Sequence, residues 1–323
     1  MHDDIRLAGW DSAITAYLSS RHALGRAYCK EEPILGNLRR FLVQMDAVDL
    51  DQALFDQWRA RLHSRSPNTR VIYDQTIFKF CCYRRRSEPG CFMPDRDSLA
   101  RGTPSPLPVV IEPDQVARLL AYVATLRSAH NSPLQPQVMR LAVVLLYTTG
   151  LRRGELIRLT LGDVDAQPGV LRIRKSKFHK SRWVPLSVSA HAELRSYLAT
   201  RKQAGFDQDP EASLLCTRGS RAYTGHGIYL AIKRQLRCAG VHDSTGRCPR
   251  IHDFRHSFAV AALLRWYEAD ADVQANLPKL ALYMGHVSIA STAYYLRWMP
   301  AVMSRASERF ARACEDVIAG GAS

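Results

Sequence analysis

Val170-Leu171-Arg172-Ile173-Arg174 and Arg182-Trp183-Val184-Pro185-Leu186, with the basic loop Lys175 to Ser181 between them, decide the fold class of this 323-residue chain. The two runs are short, rich in β-branched residues and joined by a polar segment, which predicts a β-hairpin. Everything on either side reads as helix. Downstream, from about Ala190, apolar residues recur at three- and four-residue intervals, and a last amphipathic helix is expected near Ala301 to Ile318. Upstream, a helix near Asp114 to Leu126 precedes a strongly apolar one ending at Tyr147-Thr148-Thr149-Gly150, where Gly150 suits a C-cap. Another short helix begins around Arg152. The expected fold is mainly α with a small β-hairpin (α+β).

Working further toward the N-terminus, Gly102, Pro104, Pro106, Pro108 and Pro113 are too dense for a helix to continue. They place a linker over residues 104–112, between a helical domain at 1–103 and a second domain at 113–323. In the first domain apolar positions recur around Ile14-Tyr17-Leu18, Leu38-Phe41-Leu42 and Leu54-Phe55-Trp58. Ser66-Pro67 then offers a cap and a first-turn proline, with Ile72, Ile77, Phe80 and Cys81 expected inside. Arg84-Arg85-Arg86 at that helix's end could be a solvated last turn or a phosphate contact.

Composition narrows the function. Lys and Arg number 45 against 30 Asp and Glu, for a formal net charge of +15, which implies a polyanionic partner. The basic residues are interleaved with aromatic and aliphatic ones, as in Ile77-Phe78-Lys79-Phe80-Cys81-Cys82-Tyr83-Arg84, so the charge belongs to a folded surface. No run is apolar enough for a membrane span, and Met1-His2-Asp3-Asp4 lacks the order of a signal peptide. A soluble, cytoplasmic protein is expected. Eight cysteines are scattered without a C-x-x-C pair or zinc-ligand spacing, and are expected to be reduced thiols. There is no P-loop and no carboxylate cluster at two-metal spacing.

Five stretches carry the chemistry, and their order matters more than any one alone. They are Thr149-Gly150-Leu151-Arg152-Arg153-Gly154-Glu155-Leu156; the loop Ser176-Lys177-Phe178-His179-Lys180-Ser181-Arg182; Ile251-His252-Asp253-Phe254-Arg255-His256-Ser257; Met284-Gly285-His286; and Thr292-Ala293-Tyr294-Tyr295-Leu296. Singly each has a bland explanation: Arg152 could simply pair with Glu155 on the next turn, and a basic loop is usually solvated. His252 and Arg255 are spaced to share one helical face.

Together the five resemble the tyrosine recombinase or phage integrase family, whose signature runs G-L-R-x-x-E, hairpin lysine, H-x-x-R, G-H and a nucleophilic tyrosine. The resemblance implies a helical N-terminal core-binding (SAM-like) domain joined to a catalytic domain. It also implies a catalytic set of Arg152, Lys177, His252, Arg255, His286 and Tyr295, with no metal or nucleotide cofactor. By that resemblance Arg152 and Arg255 hold the non-bridging oxygens of a DNA phosphate, which suits planar, permanently charged guanidiniums. Tyr295 attacks to give a 3′-phosphotyrosyl link. Free tyrosine titrates near pH 10, so about one molecule in a thousand is phenolate at pH 7, and His252 is the expected proton acceptor. Lys177 is the expected proton donor to the leaving 5′-oxygen, although Lys175 and Lys180 are close by; Glu155 is expected to orient rather than to transfer protons. Spacing from His286 selects Tyr295 over the adjacent Tyr294.

The implied partner is double-stranded DNA with specific recombination sites, bound by a homotetramer or by an assembly with related recombinases. The last amphipathic stretch, with Val302, Met303, Ala306, Phe310, Ala313 and Val317, fits docking onto a neighbour or closure of its own subunit. Two other readings stand beside the recombinase: a type IB topoisomerase, and a DNA-binding accessory protein that no longer cuts. The short chain with a separate helical N-terminal domain argues against the first; retention of the whole catalytic set argues against the second.

Overall fold

The computed structural model of the chain describes residues 8–26, 28–104, 106–165, 167, 169–174, 181–286, 288, 292–293, 304 and 307–308. Lys177 and Tyr295 lie outside these residues, as does the stretch 301–318 apart from 304, 307 and 308. The described chain is mainly helical with one small antiparallel sheet, and it divides into two compact units, Met1–Pro106 and Leu107–Ser323.

The first unit contains α1 (Ala8–Ala23), α2 (Glu31–Gln44), α3 (Gln52–Ala60) and α4 (Pro67–Arg84). Ser66 starts α4 as expected: its hydroxyl accepts the Thr69 N–H at 3.3 Å, and Pro67 fills a first-turn position that needs no donor. Trp10, Tyr17, Leu35, Leu38, Leu42, Phe55, Trp58, Ile77 and Phe80 form its core, each such burial contributing about 1.5–3 kcal/mol. Ile72 does not join them. It is 42% exposed, because the five residues separating it from Ile77 turn it about 140° off the buried stripe. Asp74 is buried instead, held by Arg59 at 3.1 Å and by the Ala100 N–H at 2.8 Å. Of the three arginines closing α4, Arg84 is structural: buried, it pairs with Asp49 (2.8 Å) and Glu88 (2.6 Å) and lies over the Trp10 ring. Arg85 and Arg86 face solvent.

The second unit opens with an extended segment in which Val109 and Ile111 are buried and the Ile111 N–H donates to Ser257 Oγ at 2.8 Å. It continues through α5 (Pro113–Ala124), α6 (Gln135–Thr149), α7 (Arg153–Leu156), β1 (Val164–Asp165), β2 (Val170–Ile173), β3 (Arg182–Pro185), α8 (Val188–Gln203), α9 (Gly225–Cys238), α10 (Asp253–Glu268) and α11 (Val273–Met284). Helix α6 is apolar almost all round and runs through the core; Leu141, Ala142, Val143, Leu145 and Leu146 are all buried. The expected hairpin is present, with Leu171 paired to Val184 and Ile173 to Arg182. A third strand, β1, extends it in the order β1-β2-β3, pairing Val164 with Leu171. Two residues are too few for an alternating pattern, so the sequence carries no sign of it. A second cluster joins α10 to α11 through Ala259, Val260, Leu263, Leu277, Leu280 and Met284.

Candidate active site

Two helices that end in left-handed glycines build the site. Gly150 closes α6 at φ +61°, and Gly285 closes α11 at φ +67°. At the end of α11 the Gly285 N–H bonds to the Leu282 carbonyl at 3.0 Å and the His286 N–H to the Ala281 carbonyl at 2.8 Å, the pairing of a Schellman cap. That leaves the next three carbonyls without donors from the helix. Each takes an arginine. The Tyr283 oxygen accepts from Arg182 Nε at 2.7 Å, the Met284 oxygen from Arg255 Nη2 at 2.6 Å and the Gly285 oxygen from Arg152 Nη2 at 2.9 Å. The negative end of the helix dipole favours all three cations.

The other sides of these guanidiniums are also fixed. Arg255, one turn into α10 and 1% exposed, gives Nη1 to the Gly150 carbonyl at 2.6 Å, so one side chain bridges both glycine caps. Arg152 precedes α7 in extended geometry, and its backbone N–H reaches Glu155 Oε2 at 2.9 Å while Nη1 reaches Oε1 at 2.8 Å. Glu155 is therefore both the helix-start partner and the orienting group expected for Arg152. It has a second partner that sequence reasoning missed: Arg182 Nη1 and Nη2 meet its two carboxylate oxygens at 3.0 Å each. Burial alone would raise the Glu155 pKa, but the hydrogen bonds and charge of Arg182, with the Arg152 N–H and charge, hold it at about 2.

His286 follows the α11 cap, and its Nδ1 lies 2.7 Å from Thr292 Oγ1, a fully buried hydroxyl also missed from sequence. Burial, and then the charges of Arg255, Arg152, Arg182 and His252, press its pKa down to about 4. His252 caps α10 one turn before Arg255, its ring edge-on to His256 with centroids 4.8 Å apart. It opens to solvent on one side; crowding by protein, and then the Arg255 charge, still lower its pKa, with Asp253 pulling the other way. The structure thus brings four of the six expected residues, Arg152, His252, Arg255 and His286, into one electrostatic neighbourhood. Their arrangement, two cations beside imidazoles kept neutral near pH 7, can hold an oxyanion and accept a proton.

A model of the phage integrase family matches residues 109–300. The chain belongs to the phage integrase family. The y4rB protein of Sinorhizobium fredii, whose name marks it a candidate integrase/recombinase, is 34% identical to this integrase-family chain over 311 residues, covering 94% of it and 98% of y4rB. Tyrosine recombinase XerC of Chromobacterium violaceum is 29% identical over 297 residues, covering 88% and 89%. Among solved structures the fold is shared with the Tn1549 transposon integrase in complex with a circular intermediate DNA, at a TM-score of 0.64 and 18% identity over 93% of this chain and 99% of that one. It is shared too with the XerH site-specific recombinase bound to palindromic difH substrate, at 0.62 and 17% over 85% and 77%. As a phage integrase family member the protein is a tyrosine-type site-specific recombinase, and neither the topoisomerase nor the non-cutting reading is favoured.

Proposed function

We propose that this recombinase cuts and reseals DNA by attack of Tyr295 on a backbone phosphate held between Arg152 and Arg255. The carrying observation is the row of carbonyls at the end of α11, which sets both guanidiniums beside His286 before any DNA arrives. An anion entering there meets fixed donors and needs little rearrangement. Attack forms a 3′-phosphotyrosyl bond and releases a 5′-hydroxyl; His252, neutral near pH 7, takes the phenolic proton, and Lys177 supplies one to the departing 5′-oxygen. One phosphodiester is exchanged for another of similar energy, so the reverse attack reseals the strand. Thr292, tied to His286, lies three residues before Tyr295. A tether of that length spans at most about 11 Å, which supports delivery of the nucleophile within its own chain.

The reading extends to the partners. The first unit is a DNA-binding core-binding domain and Leu107–Ser323 the catalytic domain, with four protomers on two DNA sites and the stretch 301–318 docking onto a neighbour. On a nicked DNA substrate that traps covalent complexes, Tyr295→Phe abolishes the adduct while DNA binding is retained, and Tyr294→Phe forms it normally. Normal adduct yield from Tyr295→Phe would move the nucleophile elsewhere.

A further inference from the structure

Arg182 is the third guanidinium at the end of α11. Its side chain is 9% exposed, as buried as a structural arginine, yet the hydrogen-bond partners it has among the described residues belong to the machinery around the phosphate. Both of its terminal nitrogens sit on the carboxylate that also orients Arg152. Its Nε sits on the carbonyl next in sequence to the one that holds Arg255. Gly285 is shaped around it, since a Cβ there would lie 2.8 Å from Arg182 Nη1. A second tie fixes the same junction: the Tyr283 hydroxyl donates to the Pro185 carbonyl at 3.1 Å, so β3 is fastened to α11 at both of its ends.

The place of Arg182 in the hairpin gives these bonds their consequence. It is the first residue of β3, paired across the sheet with Ile173, the last residue of β2, and it stands five residues after Lys177. We propose that Arg182 is a positioning residue that locks the root of the Lys177 loop onto the Glu155 carboxylate and the end of α11, and so sets the reach of Lys177 to the leaving 5′-oxygen. This rests on the assignment of Lys177 as proton donor. A bidentate fork plus a third bond in another direction fixes a guanidinium's plane and position, whereas an ammonium, a point charge with three rotatable donors, has no plane to be fixed. A pair kept only for stability would not need to join the carboxylate that orients Arg152, the helix end whose carbonyls hold both phosphate arginines and the strand that carries the loop.

The test uses the full-length protein on two nicked substrates that differ in one atom, an ordinary 5′-bridging oxygen or a 5′-bridging sulfur, which leaves without needing a proton. On the oxygen substrate Arg182→Ala is expected to slow covalent adduct formation by about 10- to 100-fold, the loss of charge-assisted hydrogen bonds from a reacting site, with DNA affinity changed less than about threefold. On the sulfur substrate most of that loss is recovered, in parallel with Lys177→Ala. Arg182→Lys, which keeps the charge but not the fork, shows the same rescue with a smaller initial loss, and decides the matter if Arg182→Ala does not fold, as judged by thermal melting. Equal slowing of Arg182 variants on both substrates while Lys177→Ala is rescued would overturn the inference, and so would a wild-type rate. An unrescued Lys177→Ala would instead remove the proton-donor assignment itself, and this inference with it.

Discussion

Glu155 shows how much rests on one side chain. Its carboxylate, almost fully buried, is shared by Arg152 and Arg182, and the charge is kept by hydrogen bonds that outweigh the cost of burial. Glu155→Gln leaves two guanidiniums facing a neutral amide, and breaking a buried pair in this way costs about 3–5 kcal/mol. The midpoint of urea unfolding should fall accordingly, and adduct formation with it. Acid acts on neighbouring groups in a defined order. His286 titrates at about 4 in the fold, below its ordinary value, so as pH falls below about 6.5 the unfolded chain takes up its proton first and stability is lost through the window down to about 4. His256, also held at about 4 by burial and by the neighbouring His252, adds to the same window. Glu155 adds its loss lower, as pH falls from the ordinary carboxylate range through about 2. His286→Asn should flatten the dependence of the urea midpoint on pH between about 4 and 6.5, and an unchanged slope would show that His286 carries none of it. That Arg152, His252, Arg255 and His286 lie together was expected from the family resemblance, which the order of their motifs carries. Arg182 was not, since an arginine at the head of a basic-flanked strand looks like any solvated charge until the strand is seen against the end of α11.

Among the elements, the two αL glycines do more than end helices. A side chain at Gly285 meets a strained φ, which costs about 1–2 kcal/mol, and also collides with Arg182 Nη1 at 2.8 Å. Gly150→Ala brings the same strain with a Cβ 2.7 Å from the Phe258 ring. Gly240 supplies the control, with a φ of +64° and nothing within 4 Å of an added Cβ. Gly285→Ala and Gly150→Ala should therefore lower the melting temperature further than Gly240→Ala, and only the first two should slow adduct formation; equal effects of all three would mean that backbone strain alone is at work. Of these two helix ends, Gly150 was read from the sequence as a C-cap and Gly285 was not. The misses have physical causes as well: β1 is too short to show a period, and Ile72 was counted as core although helical rotation carries it away from Ile77 while Asp74, satisfied by Arg59, takes an inside place.

For the whole molecule the net charge of +15 sets the expected behaviour on DNA. Each phosphate neutralised contributes a slope of about −0.9 to the dependence of log affinity on log salt, so binding should weaken steeply as salt rises. Leu107–Ser323 has its own apolar core and is expected to fold alone; its salt slope should be shallower than that of the full chain, and an equal slope would deny the first unit a share in phosphate contact. The mainly helical fold with its small hairpin could be read from pattern alone, because hydrophobic periodicity reports burial directly. The convergence of distant side chains was expected only through the family resemblance, as it depends on carbonyls, which the sequence does not display. Those carbonyls have one more consequence. Arg152 and Arg255 hang from adjacent peptide groups of a single helix terminus, so a small tilt of that terminus would loosen both grips in the same movement.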